Sequence, residues 1–106
     1  MYSMLYATTD NEAEAEKIAK HLLQERLIAC ANIFQVRSLY RWKGEIQDED
    51  EFVLIMKTRA ELIPNAIEEA KKVNSYEIPC LVSYPMGEGF PPYLKWIDEE
   101  TAKLEP

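Results

Sequence analysis

SLYRWKGEIQDEDE (38–51) is the most informative stretch for the fold, because it places a turn between two long apolar segments. The segment before it, LIACANIFQV (27–36), and the segment after it, FVLIMK (52–57), have the β-branched and aromatic composition that is typical of strands. Glycine is a frequent turn residue, and it stands between the two apolar segments here. We therefore predict a long antiparallel hairpin with strands over about 28–41 and 45–57.

The chain before the hairpin predicts one strand and one helix. YSMLYAT (2–8) mixes apolar and small residues and is typical of a strand. TDNE (9–12) follows and has the form of a capping box, in which Thr9 is the N-cap and Glu12 reaches back. Apolar residues at helical spacing then predict an amphipathic helix to about Arg26.

The chain after the hairpin predicts a helix, a strand and a last helix. TRAE (58–61) is a second capping box and predicts a helix to about residue 73, although Pro64 shifts its start towards Ile63. YEIPCLVSYP (76–85) predicts the fourth strand. A proline at the first helical position then precedes YLKWIDEETAKL (93–104), which predicts the last helix.

The element order is βαββαβ followed by a helix, which predicts an α+β fold. This is the ferredoxin-like sandwich, with right-handed crossovers, both main helices on one face of the sheet and a strand order of 4-1-3-2. A length of 106 residues allows one core, so we predict a single domain over 1–106.

The hairpin is longer than the rest of the predicted domain requires. A strand of roughly 14 residues spans roughly 45 Å, whereas a helix of roughly 15 residues covers only half of that length. The outer hairpin, with Tyr40 and Trp42, is then exposed, and a bare two-stranded ribbon is marginal in water. We predict that other copies of the chain cover this arm.

Composition limits the classes of function. Net charge is −7 and the hydrophobic fraction is 47%; an acidic surface repels phosphate backbones, which argues against a nucleic-acid partner. The chain has neither a basic apolar leader nor a run approaching the roughly 18 apolar residues of a membrane span. Two cysteines do not make a secreted disulfide framework. We predict a cytoplasmic protein with no membrane partner.

Five segments together resemble the CutA divalent-cation tolerance family. In chain order they are LLQERLIACANIF, SLYRWKGEIQDEDE, MKTRAEL, SYEIP and YLKWIDEET, and they cover nearly the whole chain. The resemblance implies a ferredoxin-like subunit in a compact homotrimer with the architecture of the PII signalling proteins. It also implies a link to tolerance of copper and other divalent cations, and no established enzymatic activity.

The copper ligands that the resemblance implies are missing from this chain. Some bacterial members have a cysteine in the first strand and a His-His pair before a Pro-Tyr. This chain has Ala7 in the first position and Val73 and Asn74 in the pair, with Ser75 in place of the proline. Alanine and valine cannot ligate, and an amide oxygen suits copper poorly.

Each of the other candidate metal ligands can also be explained by a purely structural role. Cys30 and Cys80 are candidate ligands for copper(I), because thiolates prefer soft ions. Each cysteine is also consistent with a small side chain packed in the core. On opposite sheet edges they lie roughly 14 Å apart, too far for a disulfide within one chain. His21 is the one histidine, and the acids of DEDE (48–51) alternate between two faces of a strand. Copper or another divalent cation therefore stays open as a ligand, and no cofactor is firmly indicated.

A set of aromatic and polar residues at strand ends and on the last helix is the second candidate site. Its members suit either packing between subunits or a ligand cleft at a subunit boundary. They are Tyr40, Trp42, Lys57, Tyr76, Pro79, Tyr93 and Trp96.

The leading functional prediction is a non-enzymatic homotrimer linked to divalent-cation tolerance that binds a metal ion or a small ligand. The alternative is a hydrolase of the ferredoxin-like acylphosphatase type, but the loop after the first strand has Asn11 and no basic residue. An RNA-binding module ranks third, because EIQDEDEFVLI (45–55) replaces the basic and aromatic signature expected on the third strand.

Overall fold

The long hairpin and its neighbours form one four-stranded antiparallel sheet with the strand order β2-β3-β1-β4. The computed structural model describes residues 1–103. The elements are β1 (Tyr2–Thr9), α1 (Glu12–Gln24), β2 (Cys30–Trp42), β3 (Glu45–Arg59), a 3₁₀ turn (Ala60–Leu62), α2 (Ile63–Val73), β4 (Leu81–Pro85) and α3 (Pro91–Glu100). This is the predicted ferredoxin-like order, so the fold class is confirmed.

The hairpin projects beyond the body of the domain. β2 pairs with β3 along its whole length, from Cys30 opposite Lys57 to Trp42 opposite Glu45. The two-residue turn has positive φ at both positions, 50° at Lys43 and 82° at Gly44, as a type I′ turn requires. β1 pairs with β3 only as far as Phe52, so residues 45–51 extend past it. The radius of gyration is accordingly 14.5 Å, against about 13 Å for a compact chain of this length.

One face of the sheet and the helices α1 and α2 enclose the core. Side chains on a strand alternate between faces, and Leu5 and Met56, which are paired across β1 and β3, are both fully buried on this face. The apolar stripe of each helix packs on them. The helix residues in this core are Ala15, Ile18, Ala19, Leu22, Ile63, Ala66 and Ala70.

The opposite face of the sheet is apolar and only partly covered. α3 lies over one end of it, where Ile97 is fully buried and Lys57 lies over the ring of Tyr93. The remainder, which we call the open sheet face, retains large exposed side chains. Its members, by strand alternation and register, include Tyr6, Phe34, Ile55, Val82 and Tyr84.

Neither predicted capping box forms. Thr9 is the last residue of β1, and its hydroxyl donates to the carbonyl of Asn11 at 2.9 Å. Asn11 is the N-cap of α1, because its Oδ1 accepts from the backbone N–H of Glu14 at 2.8 Å. Thr58 lies in β3 and donates to the carbonyl of Leu27 at 2.7 Å. Both threonines are buried and bonded within the sheet region, so the sheet extends past the predicted boundaries.

Replacing Asn11 by alanine is expected to lower the free energy of unfolding by about 1 kcal/mol, because the first turn of α1 loses its side-chain acceptor. Urea unfolding followed by circular dichroism measures this. Asn65→Ala is the matched control, since Asn65 is exposed in α2 and makes no capping hydrogen bond. Equal stabilities of the two variants would contradict the assignment of the cap.

The remaining boundaries differ in smaller ways. α1 ends at Gln24, two residues early, where the chain turns through Arg26 at φ 55°. The start of α2 at Ile63 confirms the effect expected from Pro64. α3 ends at Glu100 rather than 104; residue 104 lies outside the described residues. Within residues 1–103, no helix has both the length and the apolar character needed to cross a membrane.

The fourth strand is half its predicted length, because residues 76–80 leave the sheet. Asn74 causes this change: its Nδ2 donates to the carbonyl of Thr8 at 3.1 Å, and its Oδ1 accepts from the backbone N–H of Tyr76 at 2.9 Å. Such side-chain bonds compete with strand pairing, and Pro79 has no N–H to donate. The segment therefore crosses over the end of β1 towards the hairpin.

Candidate functional site

A cleft of about 860 Å³ lies between the hairpin and the segment that leaves the sheet. We call it the hairpin cleft. Among the residues that line it are Tyr40, Trp42, Glu49, Glu51, Tyr76, Glu77 and Cys80. Three of the aromatic residues of the predicted set therefore meet here, together with carboxylates.

Strand alternation determines which hairpin side chains reach the cleft. Tyr40 is paired with Gln47 across β2 and β3, so both side chains lie on one face with Glu49 and Glu51. On the other face, Arg37 donates to both carboxylate oxygens of Asp48, at 2.8 and 2.6 Å. The acids of the DEDE stretch thus divide between the two faces. Across residues 1–103, no three histidine, cysteine, aspartate or glutamate side chains are grouped to hold a metal ion.

Tyr76 and Glu51 form the central polar contact of the cleft. The Tyr76 hydroxyl donates to Glu51 Oε2 at 2.7 Å, and Glu51 is only 7% exposed. Burial, this hydrogen bond and the negative charge of Glu51 raise the pKa of Tyr76 far above its usual range. Partial desolvation and the carboxylates of Glu49 and Glu51 also raise the pKa of Tyr40. Both hydroxyls are therefore protonated donors at neutral pH.

The loop that supplies Tyr76 is tied to the first helix. The backbone N–H and the hydroxyl of Ser75 both donate to the carboxylate of Glu14, the hydroxyl at 3.0 Å. Together with the bonds of Asn74, these contacts hold Tyr76 against the hairpin.

Cys80 lies at the edge of the cleft with its thiol half-buried. Burial and the nearby charge of Glu51 raise the pKa of this thiol. The thiolate is the form that ligates metals and attacks electrophiles, so these surroundings disfavour both roles at neutral pH.

Lys57, Tyr93 and Trp96 form a separate group between α3 and the sheet. Lys57 Nζ lies 5.8 Å from the centroid of the Tyr93 ring, and that ring stacks on Trp96 with centroids 5.6 Å apart. The thiol of Cys30 is 3.5 Å from the Tyr93 hydroxyl, and this contact raises the pKa of Tyr93 to about 12. Pro79 is half-buried beside the hairpin cleft. Within one chain the predicted set therefore forms two groups, and its role as a ligand cleft or a subunit contact stays a prediction.

The two cysteines lie at opposite edges of the sheet, as predicted. Cys30 begins β2 and Cys80 directly precedes β4, with β3 and β1 between them. Both thiols are free, and three strand spacings place them roughly 14 Å apart.

The remaining candidate positions have structural roles. Ala7 is fully buried in the core, Val73 packs against the core, and Asn74 makes the two hydrogen bonds that shorten β4. His21 Nε2 lies 2.9 Å from Glu69 Oε1, so it links α1 to α2 on a half-buried flank.

Sequence reasoning did not predict that Glu51 and Glu77 line this cleft, or that Asn74 holds the loop beside it. The alternation of the DEDE stretch contained the signal for Glu51, because every second residue there shares the face of Tyr40. Glu77 and Asn74 carry no such signal, since their positions depend on the loop.

Tyr76→Phe is expected to lower the free energy of unfolding at pH 8 by about 1–3 kcal/mol, because Glu51 loses its hydrogen-bond donor. Tyr76 also contributes a pH dependence of defined sign. In the unfolded chain its hydroxyl ionises near pH 10, whereas its pKa in the fold is higher. Its contribution to stability is therefore complete below pH 10 and decreases as the pH rises further.

Urea unfolding at pH 8, 10 and 11 tests both effects. The stability of the original chain is expected to fall more steeply above pH 10 than that of Tyr76→Phe. Tyr84→Phe is the control, since Tyr84 is 51% exposed. Parallel pH profiles for the original chain and Tyr76→Phe would contradict the protonated hydroxyl.

Comparisons with known proteins lead to one family. The family described as CutA1 divalent ion tolerance protein matches residues 3–100. The divalent-cation tolerance protein CutA of Archaeoglobus fulgidus is 41% identical to this chain. The match covers 93% of this chain and 97% of the Archaeoglobus protein. Protein CutA of Mus musculus is 36% identical over 96% of this chain, which spans only 58% of the mouse protein.

The solved structures give the same result. The structure from Archaeoglobus fulgidus, described as a periplasmic divalent cation tolerance protein CutA, superposes with a TM-score of 0.94. The two sequences are 40% identical, and the superposition covers 96% of this chain and 100% of the Archaeoglobus chain.

Proposed function

The chain belongs to the CutA1 divalent ion tolerance family, and we propose that it acts as a non-enzymatic homotrimer that contributes to tolerance of copper and other divalent cations. The observation that carries this proposal is the family match over residues 3–100. We further propose that the hairpin cleft is a small-ligand site and that residues 1–106 form one domain.

The surface of the chain supports the assembly. Phe34, Val82 and Tyr84 on the open sheet face are 43–51% exposed. The outer hairpin adds Leu39 and Ile46, which are 64% and 69% exposed. Large exposed apolar areas on a folded chain indicate contact surfaces. The free edges of β2 and of the outer β3 offer further backbone groups for pairing.

The acylphosphatase alternative finds no support. Asn11 was the residue required to orient a water, but its side chain caps α1 instead. The comparisons lead to CutA proteins. We propose that the chain has no catalytic turnover, no nucleic-acid partner and a cytoplasmic location, which its acidic charge and two free thiols support.

The test is growth in rising copper(II) of a bacterial strain that lacks its own family member, with and without this chain. We expect the chain to restore growth, and light scattering of the purified protein to give three times the 12.3 kDa chain mass. Unchanged sensitivity at normal expression would contradict the tolerance role, and a monomeric mass would contradict the trimer.

Any copper bound by the chain is expected to be copper(I) at Cys30 or Cys80, because the family's copper-ligand positions hold Ala7, Val73 and Asn74. Substituting both cysteines by serine is therefore expected to abolish copper(I) binding while the mass of the assembly is unchanged. Competition with a colorimetric copper(I) chelator under anaerobic conditions measures this. A tight, stoichiometric copper(II) site that survives both substitutions would contradict it.

A further inference from the structure

Residues 75–80, which we call the strap, lie between α2 and β4 and belong to neither. Within residues 1–103, no backbone–backbone hydrogen bond involves a strap residue. None of the strap side chains is buried, and Ile78 is 73% exposed. Segments with few buried apolar contacts and no backbone pairing are the parts of a protein that open locally at a low cost in free energy.

The strap is held mainly by side-chain contacts with carboxylates of other elements. Ser75 donates its backbone N–H and its hydroxyl to the Glu14 carboxylate, the hydroxyl at 3.0 Å. The Tyr76 hydroxyl donates to Glu51 Oε2 at 2.7 Å. Hydrogen bonds to an ionised acceptor are stronger than neutral ones, so Glu14 and Glu51 are the main attachments of the strap.

The other contacts of the strap are weaker or purely local. Glu77 Oε2 lies 3.8 Å from Lys43 Nζ, and both side chains are at least 70% exposed, so this ion pair contributes little. The backbone N–H of Tyr76 donates to Asn74 Oδ1 at 2.9 Å. Asn74 directly precedes the strap, so this bond fixes a local turn and does not attach the strap to another element.

Glu14 has a fixed position on α1. It lies in the first turn of the helix, where its backbone N–H donates to the N-cap Asn11 at 2.8 Å. The helix packs on the sheet through the buried Ala15 and Ile18. Glu14 therefore joins the weakly held strap to a rigid element of the fold.

The strap ends at Cys80, whose half-buried thiol shares the lining of the hairpin cleft with Tyr76. β4 begins at the next residue, Leu81, which pairs with Ala7 of β1. Because Cys80 belongs to the strap, an opening of the strap exposes this thiol without separating β4 from β1.

We propose that the strap opens as a unit while the sheet stays folded, that Glu14 is the clasp that keeps it closed, and that this opening controls access to the Cys80 thiol. The inference goes beyond the proposed role in cation tolerance and rests on contacts within one chain. A thiol-directed reagent or a soft metal ion then reaches Cys80 in proportion to the open population.

The test is the rate at which dithiobis(nitrobenzoic acid) modifies the assembled full chain carrying Cys30→Ser, in which Cys80 is the one remaining thiol. The Cys80 thiolate attacks the disulfide of the reagent, forms a mixed disulfide and releases one thionitrobenzoate anion, whose absorbance is followed. Glu14→Gln is expected to raise this rate by roughly tenfold, since a hydrogen bond to a charged group shifts an equilibrium by about that factor. Glu16→Gln removes an equal charge from the exposed pair with Lys20 on α1, and it should leave the rate unchanged.

Urea separates opening of the strap from unfolding of the whole domain. Global unfolding exposes a large area, so its population rises steeply with urea, whereas a local opening exposes little and depends weakly on urea. We expect the rate in the Cys30→Ser chain to be nearly independent of urea well below the unfolding transition. Ser75→Ala is a second variant in case Glu14→Gln does not fold; it removes one of the two donors and should raise the rate by roughly threefold.

Each other outcome overturns a named part of the proposal. Equal rates in the Glu14→Gln and Glu16→Gln chains overturn the clasp. A rate that rises steeply from the lowest urea concentrations means that Cys80 reacts only after global unfolding, which overturns the separate opening of the strap. A thiol that reacts as fast as a free cysteine overturns the control of access. A thiol that stays unreactive in every variant, as cover by a neighbouring copy would produce, overturns it as well.

Discussion

A chain in which residues 39–48 are replaced by an Asn-Gly turn is expected to lose the trimer and to give a monomeric mass in light scattering. The shortened hairpin still pairs Ser38 with Glu49, so the sheet and the helix-side core are retained. The deletion removes the exposed Leu39 and Ile46, as well as Tyr40 and Trp42. Burial of apolar area drives most association between proteins, so loss of the arm should abolish the assembly rather than weaken it slightly.

Two controls separate this effect from damage to the fold. Lys43→Asn keeps the full hairpin and a turn sequence that favours positive φ, and its mass should be unchanged. Trp42→Ala removes one ring and should shift the mass distribution partly towards monomer. A shortened chain that stays trimeric with unchanged melting would exclude the arm as an assembly element. If the shortened chain aggregates, as exposed strand edges do, Trp42→Ala decides the question.

Leu5→Ala is expected to lower the free energy of unfolding by about 2–5 kcal/mol, the usual cost of a cavity in a packed core. Leu5 is fully buried on a central strand, where it pairs with Met56 and with Ser83. The core packs on two helices, so neighbouring groups have little freedom to collapse into the gap.

Urea unfolding at one fixed protein concentration measures this loss, because the stability of an oligomer depends on concentration. Leu23→Ala is the matched control, since Leu23 is 41% exposed on α1, and it should cost less than about 1 kcal/mol. Similar losses for the two leucines would contradict the position of the core.

The hairpin and the helices were predictable from the sequence because their signals are local. Apolar segments rich in β-branched and aromatic residues on either side of a glycine turn predicted both long strands, and helical spacing predicted α1. The order of these elements leaves few topologies, and the ferredoxin-like one is observed. The missing copper ligands at residues 7, 73 and 74 also required only the resemblance and the printed residues.

Element ends were less predictable, since a polar residue has several partners available. Thr9 and Thr58 have the sequence form of helix caps, yet the sheet buries both and uses their hydroxyls. Asn74 lies at the position of an implied copper ligand and instead turns the chain away from β4. Two of these bonds, from Thr58 to Leu27 and from Asn74 to Thr8, join groups more than 20 residues apart in the chain.

The family, the element order and the long hairpin could be predicted from the sequence, because each depends on residue types at fixed local spacing. The division of the predicted set within one chain, with Tyr93 and Trp96 on α3 and Tyr76 in the hairpin cleft, follows from tertiary packing. Tyr76 and Glu51 are 25 residues apart. Their contact depends on how the loop crosses the sheet, and such long-range packing leaves no periodic signal in the sequence.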